Sequence, residues 1–160
     1  MMFKPTLRSI SRALALVCVT AFFLPAQLRA HCEVPCGIYD DQLRFEAMLE
    51  DQKTIAKAID QISRLNAGFS DGTTPLAVNQ TSRWVATKED HANRIQHTIA
   101  QYFMTQRITP EDGDGEYVKK LTTAHAVLRA AMKTKQDPSS KAARALRTAI
   151  LEFHRAYEGK

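Results

Sequence analysis

Apolar residues recur three and four positions apart through most of the chain, from residue 41 to residue 157. This spacing places apolar side chains along one face of an α-helix and predicts amphipathic helices. No stretch shows the sustained alternation of apolar and polar residues that is typical of a half-buried β-strand. Turn-forming residues divide the pattern into four predicted helices: 41–67, 76 to about 106, 116 to about 133, and a fourth that Asp137 caps, Pro138 opens and Tyr157 ends.

Four helices joined by short connections predict an all-α fold, an antiparallel up-down-up-down four-helix bundle at residues 41–158. A chain of 160 residues with 44% hydrophobic content can bury one core of this kind. The apolar faces are broad, so each helix should contact more than one neighbour. The residues expected on these faces include Leu43, Ile55, Ile59, Val78, Trp84, Val85, Val118, Val127, Leu146 and Phe153.

Residues 1–30 have the composition of a cleavable leader. Basic residues at 4, 8 and 12 precede an apolar run at 13–24, and the small residue Ala30 ends the segment. This order is typical of a secretory signal peptide, and the run is shorter than the roughly 20 residues of a membrane-spanning helix. We therefore expect a peptidase to cleave after Ala30, and export of a form without a membrane anchor to the periplasm or the extracellular space. No acidic residue precedes Glu33, which also fits an organellar transit peptide, so an organelle or the cytoplasm remains an alternative location.

The charge of the chain gives no indication of nucleic-acid binding. The chain has 22 basic and 17 acidic residues, and four of the basic residues belong to the leader. Removal of the leader therefore lowers the net charge from +5 to +1. A nearly neutral chain without a basic block lacks the charges that would neutralise phosphates.

The shortened chain would begin with residues 31–39, HCEVPCGIY, which place an amine, an imidazole and two thiols within six residues. The N-terminal amine of His31 with the backbone nitrogen and thiolate of Cys32 would form two fused five-membered chelate rings around one ion. The thiolate of Cys36 would complete an N2S2 square, a geometry that suits Ni(II) or Cu(II) better than Zn(II). Because an acylated nitrogen cannot be the amine ligand, this site requires cleavage after Ala30.

We call residues 31–39 the hook. The two residues that flank Cys36 would help so short a segment to fold back on itself. Pro35 fixes its φ angle, and Gly37 permits conformations closed to other residues. An ordinary surface turn is the alternative interpretation of both. In an oxidising compartment, a short Cys32–Cys36 disulfide is likewise an alternative to metal binding.

At the hook the chain resembles the nickel superoxide dismutase family, whose mature N-terminus reads H-C-x-x-P-C-G-x-Y-x-P. The residues that match in register are His31, Cys32, Pro35, Cys36, Gly37 and Tyr39. Asp41 stands where the family usually has proline, and a shift of one residue brings Arg44 and Glu46 near an arginine and a glutamate that the family has in its first helix. The family fold is a four-helix bundle, in agreement with the helical pattern.

The resemblance implies disproportionation of superoxide to dioxygen and hydrogen peroxide, with one nickel ion per subunit cycling between Ni(II) and Ni(III). By this analogy His31, Cys32 and Cys36 are the ligands, with the His31 imidazole axial in the oxidised state, and Tyr39 controls access. Glu46 would orient the imidazole, and Pro35 would follow a cis peptide bond. The resemblance also implies a homohexamer.

Two other functions remain open from the sequence alone. One is an exported helical protein that binds copper or nickel without turnover, and the other is a helical interaction domain that carries a Cys32–Cys36 disulfide. The four later histidines show no spacing that predicts a second metal site, and we expect each of them to be solvated or interfacial: His91, His97, His125 and His154.

Overall fold

A computed structural model describes residues 41–68, 72–110 and 114–159 of the chain. These residues form four α-helices and one π-helical segment, and they contain no β-strand. The helices are α1 (Asp41–Ala67), α2 (Pro75–His97), α3 (Asp114–Gln136) and α4 (Ser140–Glu158), and the π segment (Thr98–Arg107) continues α2. The predicted all-α fold is therefore confirmed for the described residues, and the hook at 31–39 lies outside them.

Contacts between α1 and the α2–π helix run in opposite directions along the two elements. Asp41 at the start of α1 contacts Arg107 at the end of the π segment, whereas Asp51 contacts His91, which lies earlier in that helix. The same reversal relates α2 to α3 (Lys88 with Lys135, Gln96 with Leu128) and α1 to α4 (Asp41 with Tyr157, Gln52 with Ala143). Each helix contacts the next one along the chain, and α4 contacts α1, which closes the bundle.

The core lies along the axis of this bundle. Burial of each large apolar side chain contributes about 1.5–3 kcal/mol to folding, so these residues account for much of the stability. The largest of the fully buried side chains are Phe45, Met48, Ile55, Ile95, Ile99, Phe103, Leu146, Ile150 and Phe153. None of the helices within the described ranges is both long and apolar enough to cross a membrane.

The α1–α2 pair extends beyond the α3–α4 pair at one end of the molecule. Lys88 in the middle of α2 already contacts Lys135, which lies one residue before the end of α3. Gln52 in α1 contacts Ala143, near the start of α4. Residues 56–67 and 75–87 therefore extend past α3 and α4, and we call them the α1–α2 arm; the base of the arm, at Ala56 and Ile59, lines a cleft together with Pro138 and Ser139.

Several apolar residues expected in the core are exposed. Val78 and Val85 lie in the α1–α2 arm, where α2 projects past the end of α3 and has fewer neighbours. Leu43 is 50% exposed because Phe45, about 200° further round α1, occupies the core instead. Val118, in the second turn of α3, is also exposed, and the first fully buried residue of that helix is Ala124.

The start of α4 differs from the sequence prediction, in which Asp137 was the cap. The N–H of Asp137 donates to the carbonyl of Lys133 at 2.9 Å, so this residue ends α3. Ser139 is the N-cap, because its backbone is extended and its hydroxyl accepts a hydrogen bond from the N–H of Ala142 at 3.1 Å. Pro138 consequently lies in the connection before the helix. At α2, Thr74 is the N-cap and Pro75 is the first helical residue.

Candidate metal centre

The predicted nickel ligands precede the described part of the chain. His31, Cys32 and Cys36 lie in the first 40 residues, as do three further predicted site residues: Pro35, Gly37 and Tyr39. The structure therefore describes the bundle to which the hook is joined, and Asp41 is the first residue of that bundle.

Glu46 is the predicted site residue that falls within the described chain. It lies in the second turn of α1, is exposed to solvent, and accepts a hydrogen bond from the side-chain amide of Gln42 at 3.4 Å. Two residues earlier, the guanidinium of Arg44 lies 5.7 Å from the centre of the Tyr102 ring, a cation–π distance. The role of Glu46 towards His31 stays a prediction.

The carboxylate of Asp41 is held by three side chains from two other parts of the fold. The hydroxyl of Tyr102 donates to Oδ1, and the hydroxyl of Tyr157 donates to Oδ2 at 2.6 Å. Arg107 donates to the same Oδ2 from Nη2 at 2.7 Å and from Nε at 3.1 Å. We call these four residues the Asp41 cluster. Both carboxylate oxygens accept hydrogen bonds, and hydrogen bonds to an ionised group are roughly twice as strong as neutral ones.

The winding of the π segment explains how two members of the Asp41 cluster reach one carboxylate. Tyr102 and Arg107 are five residues apart, and in an α-helix they would lie about 140° apart around the axis. A π-helix bonds residue i to residue i+5, so residues five apart lie on the same face. The side chains of Thr105 and Gln106 follow this spacing, since each donates to the carbonyl five residues earlier.

The protonation states in the Asp41 cluster are set by burial and by these hydrogen bonds. Burial tends to raise the pKa of Asp41, but hydrogen bonds from Arg107, Tyr102 and Tyr157 outweigh it and hold that pKa below its ordinary value of 3.8. Burial and the hydrogen bond to Asp41 raise the pKa of Tyr102 and of Tyr157. At neutral pH the carboxylate is therefore ionised and both phenols are protonated donors.

An aromatic group lies directly beneath the Asp41 cluster. The ring of Phe103 lies 4.9 Å from that of Phe45, 5.0 Å from that of Phe153 and 5.2 Å from that of Tyr157, centre to centre. The last two pairs are edge to face, an arrangement that stabilises beyond area burial alone. Since Tyr157 belongs to both groups, the Asp41 cluster is continuous with the core.

Two of the later histidines are more enclosed than the sequence predicted. His91 lies 2.5 Å from the Asp51 carboxylate, at the edge of an open cleft of about 670 Å³ between α1 and α2. His154 lies 2.9 Å from the Glu158 carboxylate and stacks on Phe45 at 4.1 Å. In the described parts of the chain, no group of three or more His, Cys, Asp or Glu side chains is arranged to hold a metal ion.

A comparison with protein families gives the class of the molecule. The family model described as nickel-containing superoxide dismutase matches residues 26–160, a range that includes both the hook and the bundle. The chain belongs to the nickel-containing superoxide dismutase family. It is therefore an oxidoreductase, and its cofactor is nickel. Searches among curated proteins and among solved structures returned no significant match.

The donor atoms of the hook fit the nickel of this family. All three cysteines of the chain, at positions 18, 32 and 36, precede residue 41, so any thiolate ligand from this chain must come from the first 40 residues. Cys18 lies in the predicted leader, so Cys32 and Cys36 stay the predicted thiolate donors. A square arrangement of thiolates and amine or amide nitrogens suits nickel, whereas zinc prefers a tetrahedral arrangement.

Sequence reasoning missed the Asp41 cluster. It noted Asp41 only as a departure from the family pattern, and it placed Tyr102 and Tyr157 in helices without assigning a partner to either. The spacing of Tyr102 and Arg107 carried no signal, because an α-helical pattern puts residues five apart on different faces. An acidic residue at the start of α1 indicated only a favourable interaction with the helix N-terminus and gave no signal of its three partners.

Proposed function

We propose that this enzyme disproportionates superoxide at a nickel ion held by His31, Cys32 and Cys36. Two superoxide ions and two protons are converted to one dioxygen and one hydrogen peroxide. The family match over residues 26–160 carries this proposal, and the register of the hook residues with the family motif supports it. The chemistry of the donors agrees, because thiolates and a deprotonated amide donate electron density strongly enough to stabilise an oxidised metal ion.

Each hook residue has a proposed task. The amine of His31, the backbone nitrogen and thiolate of Cys32, and the thiolate of Cys36 hold the ion, and the imidazole of His31 is a further ligand. Pro35 and Gly37 shape the segment, and Tyr39 limits access to it. Nickel, when bound, supplies the one-electron exchange between Ni(II) and Ni(III). Glu46 is proposed to accept a hydrogen bond from the imidazole of His31, which would fix the ring orientation.

Maturation is part of the proposal, because the amine of His31 exists only after cleavage. We propose that a peptidase cuts after Ala30, that the leader directs export, and that the mature subunits assemble as a homohexamer. The leader composition supports export, and the family resemblance supports the hexamer.

The decisive experiment determines the N-terminus, the metal content and the dismutase activity of one preparation. The full chain is expressed, and the processed protein is examined by mass spectrometry, metal analysis and a superoxide assay. We expect a chain that begins at His31, binds one nickel ion and is active. A chain that begins elsewhere and is still active would contradict the amine ligand. Metal uptake without dismutation would instead favour a copper or nickel carrier.

An added residue tests the amine ligand directly. One alanine inserted before His31, with its retention verified by mass spectrometry, should abolish activity and leave the helical content unchanged, because the amine no longer lies next to the Cys32 chelate. A matched variant with one alanine after Lys160 should remain active. His31→Gln keeps the amine and the thiolates, so it should bind nickel but turn over more slowly, and an unchanged rate would exclude a role for the imidazole.

A further inference from the structure

We propose that the Asp41 cluster is a positioning device for the nickel hook: Asp41, held by Tyr102, Arg107 and Tyr157, fixes the point at which the hook joins the bundle. The proposal rests on the nickel site proposed above. It assigns a role to the one hook-adjacent position at which this chain departs from the family motif.

The connecting chain between the hook and Asp41 is short. Tyr39 lies two residues before Asp41, and Cys36 lies five residues before it. An extended chain spans at most about 3.6 Å per residue, so the Cα atom of Cys36 lies within about 18 Å of that of Asp41, and the Cα atom of Tyr39 within about 7 Å. The position of Asp41 therefore limits the space that both residues can reach, and most tightly that of Tyr39.

The contacts of Asp41 are those of an anchored residue. Its side chain is 17% exposed although it is the first residue of α1, a position where helices commonly fray. The hydrogen bonds reach it from the middle and the end of the π segment and from the last turn of α4, so three elements meet at one carboxylate. An aspartate in the first turn also interacts favourably with the helix dipole, but that interaction needs none of these donors.

The π segment adds a second, independent observation. Runs of i to i+5 bonding are rare and are frequently found at functional sites. Here the segment ends at Arg107, and its winding brings Arg107 and Tyr102 to the same face, towards Asp41. The unusual helix and the anchored carboxylate therefore belong to one arrangement at the end of the bundle that carries the hook.

A purely structural role for the cluster makes a different prediction from a positioning role. If the cluster only stabilises the bundle, its loss should lower stability and affect nickel no more than an equal loss of stability elsewhere. If it positions the hook, nickel affinity and the electronic environment of the metal should change at matched stability. Gln52→Ala is the matched control. Gln52 lies in α1 eleven residues after Asp41, and its substitution removes a buried hydrogen bond of 2.9 Å to the carbonyl of Ala143 in α4.

The experiment compares Asp41→Asn, Tyr157→Phe and Gln52→Ala with the wild type, each expressed as the full chain and purified after processing. Nickel affinity is measured by competition with a chelator, and the electron paramagnetic resonance spectrum of the oxidised nickel is recorded. Thermal unfolding is measured on the same samples. All nickel measurements are made at the same interval below the unfolding midpoint of each variant.

We expect Asp41→Asn to weaken nickel binding about tenfold, the lower end of the effect of losing a residue that orients metal ligands, and to broaden the resonance lines. Tyr157→Phe should show a smaller change in the same direction, and Gln52→Ala should match the wild type in both readouts. Wild-type nickel affinity and line shape in Asp41→Asn would overturn the proposal. If the wild type itself binds no nickel through His31, the proposed function fails instead, so the two failures are distinguishable.

Discussion

The two ends of the bundle are constructed differently. At the end that carries Asp41, the start of α1, the π segment and the end of α4 meet around one carboxylate, with Phe45 and Phe103 beneath it. At the opposite end, the α1–α2 arm extends past the other two helices. Its outer surface exposes Leu76 and Val78, of which 68% and 49% are accessible.

The boundary of the arm is marked by a buried lysine. The side chain of Lys88 is only 3% exposed, and its amine donates to the Glu89 carboxylate at 2.5 Å and to the carbonyl of Lys135 at 2.9 Å. A carbonyl in the last turn of a helix has no partner within that helix, and a positive charge there also interacts favourably with the helix dipole. Lys88 therefore terminates α3 where the four-helix part of the bundle ends.

This difference shows where the fold places its constraints. Aromatic packing and charge-assisted hydrogen bonds surround Asp41, whereas the outer part of the arm depends mainly on contacts between α1 and α2. A rigid support next to a metal-binding segment preserves ligand geometry better than a mobile one.

Phe103→Ala should produce the largest loss of stability. Phe103 is fully buried and contacts four other aromatic rings, and Phe to Ala substitutions in cores cost about 3–5 kcal/mol. Urea denaturation measures the free energy of unfolding. The matched variant in the arm is Ile62→Ala, which should cost about 2 kcal/mol, the low end for its type, because Ile62 is buried but lies outside the main core cluster. Equal losses for the two variants would contradict the proposed difference between the ends.

The helices could be predicted from the sequence because their signals are local. Apolar spacing gave α1 as residues 41–67, in agreement with the observed helix, since periodicity and a terminal glycine at Gly68 coincide there. The predicted start of α4 was wrong because Asp137 and Ser139 are both good N-cap residues, and which of them caps the helix depends on where α3 ends. The prediction that Val78 and Val85 are buried was wrong, because the lengths of the helices, and not their periodicity, decide how far the α1–α2 pair projects beyond the α3–α4 pair.

The hook could be proposed from the sequence because its candidate ligands are adjacent and its chemistry depends on few residues, and it stays a prediction because residues 31–39 lie outside the described chain. The Asp41 cluster could not, because its members are up to 116 residues apart and meet only in the folded bundle. The π winding that aligns Tyr102 with Arg107 is likewise a tertiary outcome, since no local propensity distinguishes it from an α-helix.

The second prediction concerns acid. Because the pKa of Asp41 is lower in the folded chain than its ordinary value of 3.8, the ionised carboxylate stabilises the fold fully above that value and progressively less as the pH falls through the folded pKa. Asp41→Asn should lower the free energy of unfolding by about 1.5–3 kcal/mol at pH 7, the range for hydrogen bonds to a charged group. The difference from wild type should shrink below about pH 4.

Urea denaturation between pH 2 and about pH 7 measures this difference directly. The control is Asp60→Asn, which removes an exposed carboxylate paired with Arg64 in the arm, and it should cost about 0.5 kcal/mol or less at every pH. A difference for Asp41→Asn that stays constant down to the lowest pH would show that its charge contributes nothing to stability.

The third prediction concerns the base of the arm. Lys88→Met should lower the free energy of unfolding by about 1 kcal/mol, because the Lys135 carbonyl loses its donor but is only half-buried and can bind water. Nickel affinity should not change, since Lys88 lies far along the bundle from Asp41. Lys88→Arg, which keeps the charge and the donors, is the control for charge, and a nickel defect in Lys88→Met but not in Lys88→Arg would mean that the two ends are coupled.

The smallest effect is expected at the tip of the arm. Leu76 follows the first residue of α2 and is 68% exposed, so Leu76→Gln should change the free energy of unfolding by less than about 0.5 kcal/mol. Urea denaturation at two protein concentrations tests this, with Leu146→Gln as the buried counterpart that should be strongly destabilised. A loss for Leu76→Gln that grows with protein concentration would show that another copy of the chain covers the arm. The exposed apolar surface would then be an assembly contact, and the arm would be stabilised between subunits, whereas the Asp41 end is stabilised within one.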